Sequence, residues 1–183
     1  MGRIPEITNR EDLPAGQREF YDSIIASRKR IGAPYNYLLH APDLAARTAH
    51  LIGYSLFSTD FPKDLKELAI CTVAREMDCP FEWAAHADHA RSAGIREEGI
   101  RIIQDREAPA GLTEREAEVV RYVQELLRPP HRIAAATFDA LKERIGVPRL
   151  VELTGIIGAY AGLACSLNAF EVETPPGRPV LPL

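Results

Sequence analysis

The sequence predicts an all-α fold, a single-domain helical bundle. Three observations carry that reading. Apolar residues recur at helical spacing along most of the chain, and no convincing run alternates apolar with polar residues. Clusters such as Gly32-Ala-Pro34, Ala108-Pro-Ala-Gly111 and Arg128-Pro-Pro-His131 cut the periodic stretches into helix-length pieces. Thr113-Glu-Arg-Glu116 has the spacing of a capping box, in which the first hydroxyl and the last carboxylate satisfy each other's backbone N–H groups.

The elements follow in order. Beyond an N-terminal extension (1–13), Pro14 opens a first helix that runs to about Arg30 and breaks at Gly32-Ala-Pro34. A second follows Ala41-Pro42-Asp43, with Leu44, Ala45, Leu51 and Ile52 at core spacing, and ends near Phe57. Phe61-Pro62-Lys-Asp64 starts a third, because proline is tolerated in a first turn and Asp favours the positive end of the helix dipole. A fourth runs from Cys79 to about Ala93 and stops at Gly94, a residue suited to a left-handed cap. Ile95 to Ile103 is a short helix, Thr113 to Leu127 the capped one, and Ile133–Ile145 and Val151–Phe170 are the last two. The Pro-rich arm 174–183 can pack only as extended chain.

Composition bounds the function. With 183 residues the chain fits one domain that buries a real core. A net charge of −4, with no long run of Lys and Arg, gives no electrostatic reason to expect nucleic acid or an anionic membrane as partner. Val151–Phe170 approaches the length of a bilayer span, but Glu152, Thr154, Ser166 and Asn168 and three glycines make it a buried helix instead. The N-terminus lacks the apolar core of a signal peptide. Cys71, Cys79 and Cys165 do not make a disulfide framework, so a cytoplasmic protein with reduced thiols is expected.

The chemistry concentrates in Cys79-Pro-Phe-Glu82-Trp83-Ala-Ala-His86-Ala-Asp-His89, with Glu67 twelve residues upstream of the cysteine. At about 100° per residue, Cys79, Glu82, His86 and His89 share an arc of about 80°. A solvated helix face alternates Lys and Glu; this one carries groups that titrate or attack near neutral pH. Trp83, beside the arc, and His89, within it, are candidate substrate contacts, while Cys71 and Cys165 read as packing residues and His40 as part of a helix-opening turn.

These residues resemble the carboxymuconolactone decarboxylases and the related alkylhydroperoxidase D proteins. That family's signature is a Glu, twelve residues later Cys-x-x-Cys, and four residues further a His. Glu67, Cys79 and His86 stand at those offsets, and Gly94 lies eight residues past the His, as in the decarboxylases. Glu82 replaces the second cysteine. Phe81-Glu82-Trp83-Ala-Ala-His86-Ala looks like a branch typified by a Tyr-Glu-Trp-x-x-His-Ala string, as do Pro34-Tyr35-x-x-Leu38-Leu39-His40-Ala-Pro42, Leu150-Val-Glu-Leu and Tyr160 with Leu167-Asn168. The resemblance spans roughly Leu13 to Pro175. It implies an alkylhydroperoxidase D-like fold, a homo-oligomer (trimer, hexamer or dimer) and a small-molecule substrate. It also implies a catalytic set of Glu67, Cys79, Glu82 and His86.

Three chemistries compete. Acid–base catalysis without a cofactor would use His86 to move a proton and Glu67 to orient it, on a small organic acid or lactone, with Arg75 and Arg91 as candidate carboxylate binders. Thiol redox chemistry would use Cys79 as nucleophile, with peroxidase or peroxiredoxin activity. Glu82 cannot resolve a sulfenic acid, so turnover would need an external thiol. A metal site from Cys79, Glu82, His86 and His89 is disfavoured, because four ligands from one helix do not easily converge on one ion. No metal or cofactor is therefore expected. A non-catalytic binding module is the remaining alternative.

Overall fold

The computed structural model describes residues 2–183, and among them the regular secondary structure is entirely helical. The chain divides into two compact units, one formed by the residues up to Thr59 with Cys165–Glu173, the other by Asp60–Ala164 with Thr174–Leu183.

In the first unit, two short 3-10 turns (Arg10–Asp12 and Ala15–Gln17) lead into α1, Arg18–Arg28, which ends where Lys29 turns left-handed (φ 63) and donates its N–H to the Ile25 carbonyl. α2 is a single turn, Tyr35–Leu38, and α3 spans Pro42–Phe57 with proline in its first turn and Ala45, Ala49 and Ile52 buried. α1 packs on α3. The residues around Pro34 read as a break in the sequence, because four helical residues are too few to show a period. The N-terminal extension is pinned by polar contacts: Asn36 Nδ2 donates to Glu6 Oε2 at 2.7 Å, and the His40 ring lies 2.8 Å from the Pro5 carbonyl.

The second unit is built around α4, Lys63–Glu76, in which every residue from Leu65 to Arg75 is buried. α5 (Pro80–Ser92), α6 (Glu97–Gln104) and α7 (Glu114–Leu127) pack against it. Gly94 is left-handed (φ 101) after α5, and the Thr113 N–H donates to Glu116 Oε2 at 2.7 Å, closing the capping box at α7. The final helical stretch, α8, runs Ala135–Ala169 with a kink at Gly146 (φ 78, ψ 162). The last two helices thus abut at one glycine instead of being parted by a five-residue loop. Gly146 supplies a conformation that side chains resist, and Pro148 falls in the first turn beyond it, where no N–H is needed. By length and composition α8 is apolar enough to cross a membrane. Leu153, Ile156, Ile157, Tyr160 and Leu163 along it are buried in the protein.

The Pro-rich arm packs on its own unit. Leu181 is buried, and the Pro182 carbonyl accepts a 2.5 Å hydrogen bond from Arg75 Nη1. Cys165 is exposed rather than packed, because it lies on the small-residue side of α8 with Gly158 and Gly162, which are also exposed.

Candidate functional site

The site begins with the turn between α4 and α5. Asp78 takes a left-handed conformation (φ 46) and Cys79 is extended (φ −109, ψ 93), capping α5 ahead of Pro80. The Asp78 carboxylate accepts from Arg75 and, at 2.8 Å, from Arg106 Nη2, which ties the turn to both sides of the unit. The chain reverses there and α5 lies along α4.

Two partners then meet across the helix pair. Glu67 is on α4 and His86 on α5, both buried, and His86 Nδ1 lies 2.8 Å from Glu67 Oε2. A carboxylate oxygen accepts, so beside Glu67 the Nδ1 position is the donor. The other ring nitrogen, Nε2, is 3.5 Å from Glu82 Oε2, one turn back on α5. That separation is long for a hydrogen bond. The edge-on rings of Tyr160 (5.1 Å between centroids) and His89 (5.5 Å) complete the surroundings of His86.

The structure therefore brings together Glu67, Glu82, His86 and His89. Glu82 is 4% exposed and His86 7%, whereas His89 is exposed. Trp83, on the same helix, is 1% exposed and lies in the core. Cys79 is fully buried at the cap of α5. Its extended backbone lies outside the helix it caps, so the 100° period does not by itself set the direction of its side chain. One turn after Glu67, Cys71 is buried as well; burial pushes its thiol far up from the ordinary 9.0, and Glu67 and Glu82 add to that while Arg91 opposes it. Such a thiol stays protonated and inert.

Arg75 and Arg91 are engaged. Arg75 is buried on Asp78 and the Pro182 carbonyl, and Arg91 holds Glu97 (2.7 Å) and Asp88 (3.0 Å). Two neighbours were not singled out in the sequence. Tyr160 reaches His86 from α8, far along the chain, and only its place in a branch-specific string marked it. Lys66 precedes Glu67 and is buried; burial lowers its ammonium pKa, against the attraction of Glu67 and with repulsion from Lys63. Its position between two residues of a helix opening carries no periodic signal.

In this all-α unit a carboxylate on one helix meets an imidazole on the next, and the chain is similar to known proteins. Residues 42–125, from α3 through most of α7, match the Carboxymuconolactone decarboxylase family, bearing out the resemblance seen in the motif. Among solved structures, the fold is similar to an alkylhydroperoxidase AhpD core, an uncharacterised peroxidase-related protein from Ralstonia eutropha. The identity is 15%, the TM-score 0.75, and the similarity covers 96% of this chain and 93% of that one. It is also similar to a protein of unknown function from Agrobacterium tumefaciens whose name links it to antioxidant defence and AhpD. There the identity is 21% and the TM-score 0.68, covering 76% of this chain and 96% of that one. At these identities the likeness is one of fold. No curated protein matches the chain.

Proposed function

We propose that the chain is an acid–base enzyme acting on a small organic acid or lactone, with His86 as the proton-transferring group and Glu67 as the residue that orients it. The observation that carries this reading is the buried 2.8 Å contact between His86 Nδ1 and Glu67 Oε2. A buried carboxylate and imidazole are costly to desolvate, and a fixed tautomer with one free nitrogen is the arrangement a proton shuttle needs. Glu82 borders that nitrogen and His89 packs edge-on against the ring, which makes both candidate substrate contacts. The reaction class is a decarboxylation or a lactone isomerisation or hydrolysis, in line with the family that residues 42–125 match.

A thiol peroxidase is the second reading. It is favoured by the names of the two structural relatives and by Cys79 at a helix N-terminus, where the dipole assists a thiolate. With Glu82 in place of a resolving thiol, that route needs an external reductant. The two readings part on three variants assayed against a lactone panel and organic hydroperoxides. Under the first, His86→Ala and Glu67→Gln each lose about 100- to 10,000-fold in rate while Cys79→Ser keeps most of it. Loss of activity in Cys79→Ser, with a sulfenic acid formed on peroxide treatment of the native protein, would install the second.

We also propose that the chain self-associates. Leu44, Leu51, Tyr54 and Phe57 on α3 are 43–70% exposed, a grouping of large apolar side chains that monomer surfaces seldom leave to water. Light scattering at micromolar concentration should report a multiple of the chain mass; a monomer alone would refute this.

A further inference from the structure

We propose that Glu67, His86 and His89 form a binding site for a divalent transition-metal ion of the zinc class. Each residue offers one ligand atom, and the three atoms lie within 4.8 Å of one another. An ion with bonds of about 2.0–2.2 Å to nitrogen and oxygen holds its ligand atoms about 3.4 Å apart, so small side-chain rotations bring the set together. The ligands come from two elements. Glu67 is on α4, while His86 and His89 sit one turn apart on α5. That arrangement removes the objection raised by the sequence, where all the candidate ligands fell on one helix and the carboxylate of α4 had no known position.

The chemistry of the set selects the ion. Two imidazoles and one carboxylate suit zinc, cobalt and nickel, whereas magnesium and calcium seek shells of oxygen. Three protein ligands leave a fourth position for water. Access runs from His89, which is exposed, toward the buried Glu67 and His86. The Glu82 carboxylate, 3.5 Å from His86 Nε2, lies near the ring but outside the ligand group.

The site uses the side chains of the proposed proton-transfer reading and not its reaction. A neutral imidazole has one lone pair, and an ion on the His86 ring takes the pair that proton transfer needs. Metal is thus an inhibitor of the proposed acid–base chemistry and not its cofactor.

The test is titration of the full chain, stripped with a chelator, with zinc sulfate followed by calorimetry, and with cobalt followed by its visible absorption. One ion per chain should bind, with the intense bands of four-coordinate cobalt. His89→Ala and Glu67→Gln should each weaken zinc by at least about 10- to 100-fold, the loss that even outer-shell changes cause. His131→Ala, an exposed histidine outside the cluster, should leave it unchanged. His89 is at the surface, so its variant is expected to keep the wild-type melting temperature, which circular dichroism verifies. No saturable binding, or affinity equal in wild type and His89→Ala, overturns the site. The two readings fail separately: zinc binding that depends on Glu67 together with full activity in Glu67→Gln removes the proton shuttle and leaves the metal site. Activity that depends on Glu67 with no zinc binding does the reverse.

Discussion

Helix α5 carries acids and bases on both of its sides, and the two sides differ in what surrounds them. Inward, Glu82 and His86 are buried and meet Glu67 from α4. Outward, Asp88 and Arg91 are partly exposed, and Arg91 bridges to Glu97 with two short hydrogen bonds. The outer bonds are the more numerous and equally short, yet they are worth little, because water solvates the same charges nearly as well when the contact is broken. The inner pair has no such alternative. A buried carboxylate left without its partner bears its desolvation cost in full. The contrast teaches that chemistry is sought where charge is expensive to keep and not where ion pairs are most frequent.

The largest effect that separates the sides is on turnover. Against the losses expected for His86→Ala and Glu67→Gln, Arg91→Ala should keep rates within a few-fold of wild type; an equal collapse in Arg91→Ala would erase the distinction between the two faces.

Next comes a pH dependence from Cys71, which lies in the same buried environment as Glu67. Its folded thiol pKa is raised from the ordinary 9.0, first by burial and then by Glu67. Up to about pH 8–9 both folded and unfolded thiols hold their proton, and its contribution to stability is intact. As pH rises further, the unfolded thiol ionises and the folded one does not, so stability falls by up to about 1.4 kcal/mol per pH unit. Urea unfolding between pH 8 and 10.5 should show a shallower fall in Cys71→Ala than in the native protein. Equal slopes would place Cys71 outside the buried field of the site. The same series predicts that iodoacetamide modifies Cys165, which is exposed, long before Cys71.

The smallest effect is on the outer side. Arg91→Ala should lower stability by no more than about 1 kcal/mol, and the loss should shrink further in high salt, since its partners are solvated. A loss of several kcal/mol in chemical denaturation would mean that this face is structurally as costly as the inner one.

Much of the fold was legible because its signals are local. Pro62 and Asp64 start α4, Thr113 and Glu116 cap α7, and Gly94 follows the end of α5, each through contacts within a turn of the backbone. The stripe of Glu82, His86 and His89 was legible for the same reason, since helical spacing alone puts those side chains on one side. Cys79 was put on that stripe by extending the period one residue past the helix, where the backbone is extended and the period no longer applies. Cys165 was read as packed because an apolar, glycine-rich helix does not announce which of its sides a neighbour covers. The Pro-rich arm read as extended, but nothing in its composition said that Arg75 would hold the Pro182 carbonyl.

The chain's local pattern therefore settled that the protein is helical, where most helices begin and end, and that one of them bears an acid and two imidazoles on one side. Backbone hydrogen bonding and side-chain spacing within a few residues are enough for that. Which partner the imidazole has came from packing. Glu67 reaches His86 only because α5 folds back along α4, and Tyr160 reaches it only because α8 returns to the same core. Contacts between residues so far apart depend on how apolar faces cover one another across the whole unit, a collective outcome that no short stretch of sequence encodes.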